Sequence, residues 1–266
     1  MIRYQKPVVS LFASGMIGLG ILGLVYGDFA MGWQPVDPWV PGRRILAYAS
    51  AVLMLVAGTG LLYTPTLKWS IRVLFPYLLA WQLFKVPALF VAPWMEGVWL
   101  GFGEIAVLFS GGWVLFALLS QLGSESRLSF LTGQRGVRMA RTLFAVSLVP
   151  IGLSHLFYVK ITVSLIPTWI PLRTGWAYVT GIGQIACGVG ILLSIFPSIA
   201  ATVEAAMLSL FAVLVWLPAV VAEPTTRLPW TAVLITWAID SGAWVFAASM
   251  PTKSRSALHA AIHPPV

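Results

Sequence analysis

Five ionisable side chains fall inside apolar stretches of this chain: Lys85, Glu104, His155, Glu204 and Asp240. Charge in such surroundings is costly, so each should be paired, reach water, or handle a proton or a ligand. Asp240 is the sharpest case, near the middle of the last apolar run in Trp237-Ala-Ile-Asp240-Ser-Gly. A bare carboxylate there would cost several kcal/mol, so it should be protonated or paired. Two roles fit: a neutral acid hydrogen-bonded to a nearby Ser, Trp or Gln, or a proton or ligand site. Lys85 and Glu104 lie at similar depth on consecutive runs of an antiparallel hairpin. They can form an ion pair, snorkel to the interface or face a substrate. His155, near Trp176 and Tyr178 in depth, is either a packing residue or a hydrogen-bond partner for a headgroup. Glu204 is expected at the interface and Gln184 as a polar link between helices.

These residues need a membrane and helices to position them. Of 266 residues, 59% are hydrophobic and 9% charged, against roughly 25% charged in soluble domains. With a mean hydropathy of +0.91, the chain lacks the polar surface of a water-soluble globule. The net charge of +8 is scattered at the ends of apolar runs, a pattern of membrane topology that excludes nucleic-acid binding. The lone Cys187 excludes an intramolecular disulfide and CxxC chemistry. The N-terminus resembles a signal peptide, but the stretch from Pro7 to Tyr26 can span a bilayer and no small-x-small site follows it. A retained helix is expected.

Eight runs can span: about 7–27, 45–64, 70–92, 99–119, 141–160, 175–196, 199–221 and 230–250. The expected class is all-α and polytopic. A cytoplasmic N-terminus puts ten Lys and Arg on the cytoplasmic side (Arg3, Lys6, Lys68, Arg72, Arg127, Arg135, Arg138, Arg141, Lys253 and Arg255). It leaves five outside: Arg43, Arg44, Lys160, Arg173 and Arg227. Both termini should therefore be cytoplasmic. The expected organisation is a four-helix unit at 1–122, a basic cytoplasmic linker at 123–140, a second unit at 141–250 and a cytoplasmic tail at 251–266.

The two units repeat. A shift of 130 places Trp39, Pro41, Arg43, Ala47, Tyr48, Gly58, Gly60 and Leu62 on Trp169, Pro171, Arg173, Ala177, Tyr178, Gly188, Gly190 and Leu192. A shift of 131 then pairs Pro87, Pro93, Trp99, Ser110, Gly111 and Trp113 with Pro218, Pro224, Trp230, Ser241, Gly242 and Trp244. The extra residue is expected near the loop between the second and third helices of a half. Four crossings per unit make the halves parallel, related by an axis along the membrane normal. The intramembrane charges are not repeated, since Lys85 falls on Trp216, Glu104 on Ile235 and Asp240 on Phe109.

Pro167-Thr-Trp169-Ile-Pro171 should be a rigid, extended re-entry, because each proline keeps its predecessor out of the helical region. Trp169, Trp176 and Tyr178 suit the headgroup level, and Arg173 can reach a lipid phosphate. Ala177, Gly181, Gln184 and Gly188 then form a small-residue face for close helix approach, matched by Ala47, Ala51, Met54 and Gly58. With Gly152-Leu-Ser-His155-Leu-Phe-Tyr158 before it and Trp176-Ala-Tyr178-Val-Thr180-Gly181 after it, this element resembles the DoxX-like family of four-helix membrane proteins. The resemblance reaches the first half through the repeat, where the histidine and the Thr-Gly are missing. It implies a bacterial cytoplasmic membrane protein associated with redox systems, including quinone-linked ones, and with soluble redox enzymes.

No Cys/His metal cluster, haem-ligating histidine set, GxGxxG after a strand, P-loop or GxSxG is present. His259 and His263 read as solvated tail residues. No metal or covalent cofactor is expected, and an accessory subunit fits better than a self-contained enzyme. The leading hypothesis is a subunit that binds a lipidic redox molecule of the quinone class or docks a redox partner, with a pocket between His155, Tyr178, Gln184 and Asp240 opening on the outer half. There His155 or Tyr178 bonds a carbonyl and Asp240 accepts a proton. A transporter or lipid-handling protein would instead run a polar path through Lys85, Glu104 and Asp240. A scaffold would use the basic linker (Arg127, Arg135, Arg138, Arg141) to recruit a partner, although ordinary positive-inside anchoring is the favoured reading of those arginines.

Overall fold

The computed structural model describes residues 6–120 and 128–250. Arg3, Arg127, residues 123–127 of the expected linker and the tail with Lys253, Arg255, His259 and His263 lie outside the described residues. The helices are α1 (Lys6–Tyr26), α2 (Arg43–Leu61), α3 (Leu67–Val91), α4 (Glu96–Leu119), α5 (Gly133–Phe157) and α6 (Val159–Leu165). They continue with α7 (Arg173–Leu192), α8 (Pro197–Phe211), a π-helical turn (Ala212–Trp216), α9 (Leu217–Ala222) and α10 (Arg227–Ser249). Since α8, the π turn and α9 form one span, eight helices are long and apolar enough to cross a membrane. That fits a multi-pass membrane protein. The fifth begins at Gly133, earlier than the apolar run suggests, because its first turns carry Arg135 outward while Gly136 and Ala140 are buried.

The spans form a ring. Consecutive ones pack on each other from α1 round to α10, α10 closes on α1, and α4 and α10 also meet across the middle. At that crossing Gly111 faces Gly242, so closely that a methyl group on Gly111 would lie 2.4 Å from the Gly242 Cα. Without a hydrophobic drive between helices in lipid, such close backbone packing is what holds them. The small-residue faces behave accordingly: Ala47, Ala51, Met54 and Gly58 are buried on α2, and Ala177, Gly181, Gln184 and Gly188 on α7. A methyl on Gly20 would lie 2.8 Å from the Ala51 carbonyl oxygen, and one on Gly152 would lie 2.4 Å from that of Gly181.

The prolyl re-entry recurs in shape. Trp39 and Trp169 are both exposed, and both following helices start from a residue in the left-handed region, Gly42 (φ 68°) and Leu172 (φ 54°). Glycine adopts that conformation freely, whereas leucine is strained there by roughly 1–2 kcal/mol. Leu172 is 85% exposed and loses no packing on truncation. Leu172→Gly is therefore expected to raise stability by about 0.5–1 kcal/mol, read as a higher unfolding midpoint in detergent.

Burial along 201–210 repeats that along 71–80 at a shift of 130 in nine of ten positions, so the extra residue does not lie in the preceding loop. Beyond it the shift is 131. Trp99 Nε1 donates to the Pro93 carbonyl at 2.9 Å, and Trp230 Nε1 to that of Pro224 at 2.8 Å. The π turn at Ala212–Trp216 lies between the two registers, and one inserted residue is what such a turn absorbs.

Candidate functional site

The two halves fill their interiors differently. In the first, the loop after α1 folds inward and buries Phe29, Trp33 and Gln34. Gln34 Nε2 donates to Ser50 Oγ at 2.8 Å and to Tyr77 Oη at 2.9 Å, while Phe29, Trp33 and Tyr77 all pack on Trp81. Lys85 belongs to this plug. Its Nζ donates to the Gly32 carbonyl at 2.5 Å, so it ties loop to helix rather than bonding directly to Glu104, which it reaches only through its field. In the second half the corresponding segment is α6, which has no buried residue.

That second half instead holds polar pairs on α5, α7, α8 and α10. His155 Nδ1 lies 2.8 Å from Thr180 Oγ1. The Thr180 hydroxyl already donates to the helix carbonyls of Trp176 (2.9 Å) and Ala177 (3.2 Å), so the hydrogen between the two belongs to His155 Nδ1. In the neutral ring Nε2 is then the acceptor nitrogen, without a hydrogen-bond partner among the described residues, and Phe211 flanks the ring at 5.7 Å. Asp240, 2% exposed, has its two carboxyl oxygens 3.0 and 2.9 Å from Ser209 Oγ, which also accepts from Trp244 Nε1 at 3.0 Å. Gln184 Nε2 donates to Glu204 Oε1 at 3.2 Å; both residues are fully buried, and Gln184 Oε1 and Glu204 Oε2 have no partner among the described residues.

Glu204 is therefore not interfacial as expected. It lies about two turns into α8, on the face of Ala201, Ala205 and Leu208, which turns into the bundle. Tyr178 also departs from expectation: it is 45% exposed on the outside of α7, and Thr180 takes the place beside His155. The four residues of the expected pocket thus occupy separate places, with α8 supplying a partner to three of them through Glu204, Ser209 and Phe211. Thr180 stood in the quoted Trp-x-Tyr-x-Thr-Gly motif. The Ser partner expected for Asp240 is Ser209, itself bonded by Trp244, and the sequence singled out neither residue by number. At the repeat shifts, Gln184, Glu204, Ser209 and Asp240 correspond to Met54, Leu74, Leu79 and Phe109, an apolar set. Toward the end of the bundle holding the 193–196 turn, Phe144 and Phe246 stack with centroids 3.9 Å apart and no exposed surface. Among the described residues no three His, Cys, Asp or Glu side chains come together as metal ligands.

At the opposite end Asp28 joins the halves. It pairs with Arg43 and, at 2.9 Å, with Arg227, which also donates to the Phe29 carbonyl at 2.7 Å. Burial alone would push the Asp28 carboxyl up, but Arg227, the Phe29 amide and Arg43 outweigh it and hold it below the usual carboxylate range. A carboxylate depressed in the folded state stabilises above its unfolded value, near 3.9, and that contribution is lost as pH falls through the folded value. Wild type should thus exceed Asp28→Asn by about 1 kcal/mol at pH 7, with the gap closing below about pH 4 in unfolding measurements.

No family model matches the chain, and neither curated proteins nor solved structures show a significant likeness to it.

Proposed function

We propose that the chain is a fused tandem of two DoxX-like units, facing the same way with both termini cytoplasmic, in a bacterial cytoplasmic membrane. Its first unit is a plugged scaffold, and its second binds a lipidic redox molecule of the quinone class as an accessory subunit of a membrane redox system. Support for the tandem comes from the repeated burial pattern, the repeated Trp–Pro bond and the meeting of equivalent Gly111 and Gly242. The observation that carries the ligand is His155, fixed by Thr180 with Nε2 free beside Phe211. A free acceptor suits the hydroxyl of a quinol: Nε2 takes that hydrogen bond, and then the proton when the quinol is oxidised by its redox partner. Asp240, held by Ser209, is the second proton acceptor of this half.

The transporter reading needs an open path past Lys85 and Asp240. Lys85 is tied to the Gly32 carbonyl at the outer end rather than facing a path, and the Phe144–Phe246 stack toward the other end favours a pocket closed on the cytoplasmic side. The test is titration of the purified protein with a short-chain quinol and quinone. His155→Ala is expected to weaken quinol binding about tenfold, the worth of one good hydrogen bond, while Asp240→Asn alters its pH dependence. Binding unchanged in both variants would overturn the assignment.

A further inference from the structure

α1 and α10 cross closely where a methyl on Gly15 would lie 2.9 Å from the Ala238 Cα. From there toward the Asp28 end, a groove of about 370 Å³ opens between them. Its walls include Ile21, Val25 and Tyr26 of α1 and Trp230 and Leu234 of α10, with Ile21 and Val25 49% and 70% exposed. Between α4 and α5, the other seam between the halves, the backbones stay close: a methyl on Gly103 would lie 2.8 Å from the Ser147 carbonyl oxygen. The volume of the open seam is that of a small-ligand site, roughly 300–1,000 Å³.

Charge collects at its mouth. The Arg227 guanidinium lies 5.2 Å over the Tyr26 ring, and Arg43 shares Asp28 with it. A methyl on Gly27 would lie 3.2 Å from Arg44 Nε, and among the described residues the exposed Arg44 bonds to Tyr48 Oη, at 3.3 Å. Two guanidiniums thus pair with one carboxylate at the head of an apolar channel, and a third lies beside the adjoining Gly27. A second copy of the chain placed symmetrically here would set its own arginines against these. An anionic phospholipid matches both parts, with an acyl chain between α1 and α10 and its phosphate on the arginines.

We infer that the α1–α10 groove is a binding site for one anionic phospholipid, separate from the His155 site. Delipidated protein in detergent is titrated with phosphatidylglycerol or phosphatidylcholine of the same acyl chains, and bound lipid is counted by native mass spectrometry. Phosphatidylglycerol should be retained about fivefold better, and Arg44→Gln should abolish most of that preference. Val25→Trp, which fills the groove from an exposed position, should remove the adduct, whereas Val56→Trp, equally exposed on α2, should leave it. Equal retention of the two lipids by wild type overturns the site, as does an undiminished adduct in Val25→Trp.

Discussion

Gly111→Ala is expected to destabilise the protein by about 3 kcal/mol, the upper range for overpacking in a close-packed interior. The added methyl would stand 2.4 Å from the Gly242 Cα and 2.5 Å from its carbonyl oxygen. Neither is the end of a flexible side chain, so α4 and α10 must separate along their whole crossing. That crossing joins the two halves at the centre of the ring, and the cost should appear as a lowered unfolding midpoint with no local remedy. Gly183→Ala is the matched control, since no atom lies within 4 Å of its added methyl. It should be neutral or gain up to about 1 kcal/mol from helix propensity. Equal effects of the two substitutions would mean that α4 and α10 do not cross at Gly111.

The second large effect is a coupling. Glu204→Leu leaves the Gln184 amide buried without its acceptor, and Gln184→Met leaves the Glu204 carboxyl buried without its donor. Each should cost about 1–3 kcal/mol, because a buried polar group stripped of its partner suffers the full desolvation penalty. The double variant installs the residues of the first half, Met54 and Leu74, both buried there. Removing both partners together is nearly neutral, so the double variant should be more stable than either single one. Additive losses would show that the pair does not interact in the membrane.

The spans were legible because a bilayer demands long apolar runs, and α5 alone extended well beyond its run. The packing faces were legible too: Ala177, Gly181, Gln184 and Gly188 recur at helical spacing, and all four are buried. Single-residue rotation was harder to foresee. Ala177 is buried and Tyr178 exposed, a step of about 100° that turns an aromatic candidate outward. Glu204 was misjudged by its distance from the helix end, although its spacing from Ala201, Ala205 and Leu208 placed it on the inward face. Lys85 could not be read from its helix, because its acceptor, Gly32, comes from a loop without periodicity that folds into the bundle. The π turn left only a one-residue change of register, compatible with an insertion anywhere between Leu62 and Pro87 in the first half's numbering.

The functional account rests on the second half holding a lipidic redox molecule where the first is filled by its own loop. Mass spectrometry of the extract from gently purified protein tests this most directly, with wild type beside His155→Ala. The account predicts a quinone-class molecule in near-stoichiometric amount in the wild type and a clearly smaller amount in His155→Ala at unchanged fold. Wild-type protein that carries no such molecule, or the same amount in both proteins, would contradict it.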